Sequence, residues 1–98
     1  MEPYESKILE MIEKNKKIVV ITAENRVSLR NIPEKLNQNF IDVGISEQNL
    51  IGIGAGLAKL GFLPIMHGMS AFLTMRAFEF IRTDLGYPSL PAVVVGTF

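Results

Sequence analysis

The sequence has no cysteine, so disulfides and thiolate-ligated metals are closed to it. It has no net charge either: Lys plus Arg number 10, and so do Asp plus Glu. Without an overall field, electrostatic recruitment to nucleic acid or to an anionic membrane is not expected. There is one histidine, His67, and no second His or Cys with which it could share a metal. Long apolar runs are missing as well. The longest stretch free of Lys, Arg, Asp and Glu is 60–75, and Pro64 and Gly68 interrupt it. That is short of the roughly 20 residues a bilayer span requires. The first residues, MEPYESKILEM, are acidic and lack the basic-then-apolar order of a secretory signal. A cytoplasmic chain, with no nucleic-acid or membrane partner, is the expectation. Its 98 residues allow one domain with a modest core.

What is present alternates between helical and extended patterns. Residues 4–15 carry Ile8, Leu9, Met11 and Ile12 at helical spacing, with Glu and Lys on the other side. KIVVITA, 17–23, is β-branched and too short for a helix, which predicts a buried strand. The polar stretch 24–39, with Asn25, Ser28, Asn31, Pro33, Asn37 and Asn39, reads as a long loop holding one helical turn. NFIDVG is a second strand. Ser46 is placed to cap a helix that reaches Leu60 and stops at Gly61. LPIMHGM is a third strand, with Pro64 tolerated near its start. Ser70 is placed to cap a helix over 71–85, ended by GYP, and PAVVVGTF is a fourth strand. Strands separated by helices predict an α/β fold: a parallel sheet of about four strands with helices on both faces. The last strand should be buried on both faces, yet no sequence follows to cover it. The chain therefore reads as part of a larger unit, or as one that needs another chain.

Several residues invite a chemical reading, and most have a structural one beside it. GIGAG, 52–56, lacks the last glycine of the dinucleotide fingerprint and falls inside the predicted helix, away from the strand-to-helix turn. Gly52 and Gly56 share one helix face, and Gly54 and Ala55 keep the element thin; each glycine costs about 1 kcal/mol relative to alanine, which suggests that another backbone, of the sheet or of a partner helix, approaches closely. His67 in an apolar strand reads as a hydrogen-bonded core residue, and Asp42 as a structural acceptor. Phe72, Met75, Phe78 and Leu85, with Leu73, Ala77 and Phe80, read mostly as core, and Arg76, Glu79 and Arg82 as a solvated face. Glu47 stands at the mouth of a long uncharged stretch. A carboxylate in a first helical turn is favoured by the macrodipole, by about 0.3–1 kcal/mol, and that alone would explain it.

The wording of 40–84 adds to this. Asp42, Val43, Gly44, Ile45, Ser46, Glu47 and Gln48 open a small-residue helix centred on Ala55, Gly56, Leu57 and Ala58. A strand introduced by Pro64 follows, then a helix bearing Phe72, Thr74, Arg76, Ala77, Phe78, Glu79, Ile81 and Arg82. The joint pattern resembles the pyrimidine-binding domain of transketolase-type thiamine diphosphate enzymes. The spacing of Met69, Phe72 and Met75 is also similar to that in pyruvate dehydrogenase-type beta subunits. Some positions depart from the family: Met69 replaces an aromatic, Phe80 a glutamine, and His67 and Gly68 small or hydroxylated residues.

The resemblance implies that 1–98 is a partial pyrimidine-binding domain. It implies that Glu47 is catalytic, meeting a ring nitrogen of the cofactor's aminopyrimidine so that the thiazolium carbon loses its proton. It implies that Phe72 stacks on the pyrimidine, with Met69 and Met75 beside it. The family's metal–diphosphate motif lies on a separate domain, so this chain would hold no metal, and Mg²⁺ would come through a partner domain. The function implied is that of the pyrimidine-binding part of a transketolase, transferring two-carbon ketol units between sugar phosphates. It would be active only with a complementary diphosphate-binding subunit, or as a homo-oligomer. The alternative is a non-catalytic fragment or paralogue acting as a protein-interaction module.

Overall fold

The computed structural model describes residues 3–24 and 29–97. Four parallel strands, β1 (Ile18–Thr22), β2 (Phe40–Asp42), β3 (Leu63–Met69) and β4 (Val93–Thr97), lie in the order β2-β1-β3-β4. Pairing is in register from Ile18 opposite Leu63 to Thr22 opposite His67, and from Ile65 opposite Val93 to Met69 opposite Thr97. Helices cover both faces, as expected. α1 (Pro3–Lys14) and α2 (Ile32–Leu36) close one face over Ile8, Ile12, Ile18, Val20, Leu29, Ile32 and Ile65. α3 (Glu47–Lys59) and an irregular fourth helix close the other over Val19, Ile21, Leu50, Ile51, Met66, Leu73 and Ala77.

The strands are two-sided because β-branched and apolar residues run without a break. Every residue of β1 is buried. The stretch read as a loop contains more order than expected. Leu29, Ile32 and Leu36 are spaced for one helical face and all three are buried. The density of asparagine and proline hid that face. The buried carboxylate of Glu5 accepts from the backbone N–H of Asn31 at 2.8 Å and from its side-chain amide at 3.3 Å, which fixes the start of α2 against α1. Asn25, Ser28 and Phe98 lie outside the described residues.

α3 stops where the sequence says it should. Gly61 has φ +95°, Phe62 N–H donates to Leu57 O and Gly61 N–H to Ala58 O, the paired bonds of a left-handed helix ending. Of the two approaches expected at these glycines, that of the sheet is found at Gly54. A Cβ on Gly52 or Gly56 would meet nothing within 4 Å, whereas one on Gly54 would lie 2.2 Å from the sulfur of Met66. The close approach to the sheet is at Gly54, because that position faces β3.

The helix expected over 71–85 is not one regular helix. It is a π turn (Phe72–Arg76), a short α turn (Phe78–Phe80) and a second π turn (Ile81–Gly86). Thr74 and Thr83 donate their hydroxyls to the carbonyls of Ser70 and Glu79, four residues back. Such bonds compete with the helix's own ladder. The altered pitch turns Met75, Phe78 and Phe80 outward and leaves Leu73, Ala77 and Leu85 in the core. β4 is uncovered, as the sequence reading expected: Val93 and Val94 are exposed, because no described element covers or pairs its outer side.

Candidate functional site

The C-terminal ends of the four strands share one edge, the position where open α/β sheets take ligands. At this edge β2 passes into α3 through a turn built on Asp42. One oxygen of Asp42 accepts from Glu24 N–H at 3.0 Å and from Gly44 N–H at 2.9 Å, joining the exit of β1 to the turn. Asp42 is thus the structural acceptor the sequence suggested. It supports two left-handed positions, Glu24 at φ +57° and Gly44 at φ +79°; at a non-glycine residue such a conformation costs about 1 kcal/mol or more. Ser46 occupies the N-cap position but makes no side-chain capping bond; its hydroxyl donates to Val43 O at 3.1 Å. The turn therefore fixes the entry to α3.

Glu47 follows at once, in the first turn of α3, and is 4% exposed. A contrast with Glu5 shows what is unusual about it. Both glutamates are buried, but the Glu5 carboxylate is committed to Asn31, whereas no hydrogen bond to Glu47's is present among the described residues. No fully enclosed side-chain oxygen lacks a partner among the described residues. A buried carboxylate at a helix start, with no hydrogen bond among the described residues, is suited to a donor from outside the chain.

Met69 ends β3, and Phe72 opens the first π turn three residues later. α3 packs on this turn and on β3, which brings the elements bearing Glu47, Met69 and Phe72 to one end of the sheet. Phe72 is half-buried, and the Arg76 guanidinium sits over its ring, 4.0 Å from the centroid. Sequence reasoning assigned Arg76 only to a solvated face; four-residue spacing from Phe72 was the available signal. Met75 is 81% exposed and stands outside the packed group. On the outer side, Arg82 forks onto Glu79 at 2.5 and 2.7 Å and bonds Tyr87 Oη. The Arg82 bond holds the Glu79 carboxyl below its ordinary range, and Glu79 in turn raises Arg82.

His67 is buried beneath Met69 on the α1 side of the sheet. Its Nδ1 lies 3.2 Å from Ile21 O and its Nε2 2.6 Å from Tyr4 Oη. Burial lowers its pKa, against the backbone bonds that raise it. The hydrogen-bonded reading of His67 holds, but Tyr4 as its partner was not legible in the sequence.

No group of three or more His, Asp or Glu residues placed to hold a metal ion occurs among the described residues. A groove of about 460 Å³ lies elsewhere, between the Gly52, Gly56 and Lys59 side of α3 and Thr83, Asp84, Pro88 and Leu90. No described helix is long and apolar enough to cross a membrane.

These features define an open parallel α/β domain with a buried carboxylate at the carboxyl edge of its sheet. The family model described as the transketolase pyrimidine binding domain matches residues 3–98, and the chain belongs to that family. It is 31% identical over 98 residues to a 6-deoxy-6-sulfo-D-fructose transketolase subunit of Clostridium sp., covering 98% of this chain and 30% of that protein. It is 40% identical over 88 residues to the 1-deoxy-D-xylulose-5-phosphate synthase of Clostridium acetobutylicum, covering 88% of this chain and 14% of that one. A solved split-gene transketolase, described as an inactive beta4 tetramer, superposes with a TM-score of 0.85 at 33% identity, over 95% of this chain and 32% of that one. The chain thus spans about a third or less of the length of these relatives.

Proposed function

We propose that this chain is a partial pyrimidine-binding domain, acting as the pyrimidine-binding part of a thiamine diphosphate-dependent transketolase that moves two-carbon ketol units between sugar phosphates. The observation that carries this reading is Glu47: buried, at the first turn of α3, and without a hydrogen-bond partner among the described residues. Thiamine diphosphate, when bound, would supply the carbanion chemistry that side chains cannot. Glu47 would hold a proton between its carboxylate and a ring nitrogen of the aminopyrimidine. Phe72 would offer a ring face to the pyrimidine, with one side covered by Arg76. Met69 would add a polarisable contact. Met75, largely exposed, would contribute only where a partner closes over it.

The diphosphate and Mg²⁺ ligands would come from a complementary subunit. Two features support a partner: the open Gly52 and Gly56 face along its groove, and the exposed Val93 and Val94 of β4. The inactive state named for the similar solved chain agrees with this, as does the subunit status of the Clostridium relative. Calorimetry with thiamine diphosphate and Mg²⁺ tests the proposal. The chain alone should bind weakly or not at all, and a mixture with a diphosphate-binding subunit should bind and turn over sugar phosphates. Micromolar binding by the chain alone would contradict the half-site.

A further inference from the structure

We propose that Tyr4 and His67 form an acid-released latch that pins the first turn of α1 to the C-terminal half of β3, beneath Met69. The proton positions follow from the partners. A carbonyl can only accept, so Nδ1 of His67 carries the hydrogen that goes to Ile21 O at 3.2 Å. In the neutral ring Nε2 is then the acceptor, and the Tyr4 hydroxyl donates to it at 2.6 Å. The two rings also meet edge to face, 5.8 Å apart at 76°. His67 is 1% exposed while Tyr4 is 37% exposed, so the latch has one end in the core and the other at the surface. Strand alternation places Met69 on the same face as His67, one pleat nearer the site edge.

A proton from solvent arriving at Nε2 removes the acceptor. Both ring nitrogens become donors, and the Tyr4 hydroxyl can no longer donate to the ring. Among the described residues the new cation meets no counter-charge. Thr22 and Val95 flank His67 in the sheet, and neither is ionisable. Among the described residues of α1, Tyr4 is the ring's direct partner and the Glu5 carboxylate is held by Asn31. Lys7, Glu10 and Lys14 pair with one another on the exposed side of that helix, where Glu13 also lies, and Lys35 of α2 is exposed. An unpaired buried cation is costly, and the least costly response is to lift the first turn of α1 and admit water. Desolvation already lowers the imidazole pKa, so release falls on the acid side of the ordinary histidine range.

The full chain tests this by nitrogen-detected NMR of its one histidine, together with amide exchange at Lys7, Ile8 and Leu9, corrected for intrinsic rates. At neutral pH the ring should be the Nδ1–H tautomer. On acidification, opening of the first turn should rise by up to about tenfold per pH unit between 6.5 and the midpoint of His67. His67→Gln keeps an acceptor for Tyr4 but cannot titrate, so its profile should be flat. Tyr4→Phe should loosen the turn already at neutral pH and move the His67 midpoint up. An Nε2–H tautomer, or equal corrected exchange at about pH 7.5 and 5 in the unaltered chain, would overturn the proposal, as would the same pH step in His67→Gln. If His67→Gln does not fold, the tautomer and the Tyr4→Phe comparison decide.

Discussion

A Cβ added to Gly54 would stand 2.2 Å from the sulfur of Met66, which is fully buried. Two effects then compete in Gly54→Ala. Better helix propensity favours alanine by about 1 kcal/mol, while overpacking a core contact costs about 1–3 kcal/mol. Gly54→Ala is expected to destabilise the chain by about 1 kcal/mol. Gly52→Ala and Gly56→Ala enter open space, so they should stabilise it by roughly 0.5–1 kcal/mol. Urea unfolding of the three variants measures the difference in sign.

Stability should fall on both sides of neutrality through the Tyr4–His67 contact. His67 has its pKa lowered from 6.5 by desolvation, so the unfolded chain takes up the proton first as pH falls. Its contribution is complete above about 6.5 and is lost downward from there to the folded value, with a slope no steeper than about 1.4 kcal/mol per pH unit. Tyr4 has its pKa raised from 10.0 by desolvation, so its contribution is complete below 10.0 and is lost as pH rises through the folded value. Unfolding free energies at pH 7.5 and 5.5 should differ in the unaltered chain by more than in His67→Gln.

Much of the fold was legible because the apolar residues were periodic. Ile8 and Ile12, the β-branched run of β1, and Gly61 after α3 each pointed one way, and each is found as expected. The α2 segment was not legible, since three apolar residues were spread through a polar stretch and its start is fixed by Glu5 from a distant helix. Nor were the π turns at Phe72–Arg76 and Ile81–Gly86. They follow from threonine hydroxyls competing for carbonyls, a local bond that leaves the hydrophobic spacing unchanged. At the site, the position of Glu47 was readable from its helix start. That it takes no hydrogen bond from the other described residues was not, because that depends on which side chains fold toward it.

Phe72 and Arg76 make a separable prediction in a reconstituted complex with a diphosphate-binding subunit. Phe72→Ala removes a stacking surface worth about 0.5–1.5 kcal/mol beyond area burial, so thiamine diphosphate affinity should fall by at least a few fold, with little change in the rate at saturation. Arg76→Met keeps the bulk over the ring and removes the cation. It should leave cofactor affinity within about threefold, given roughly 0.5–1 kcal/mol for an exposed cation–π contact. Titration calorimetry of both variants separates stacking from charge.

The most direct measurement is exchange of the thiazolium proton of thiamine diphosphate in deuterated buffer, with the reconstituted complex and its Glu47→Gln variant. Glutamine keeps the shape of Glu47 and some hydrogen bonding but cannot share a proton with the pyrimidine nitrogen. Proton-transfer groups contribute about 10²–10⁴-fold. The expected result is exchange slowed by that order in Glu47→Gln, with the fold intact and much of the cofactor affinity retained. Exchange as fast as in the unaltered complex would contradict it, leaving Glu47 as a carboxylate that serves only the first turn of α3.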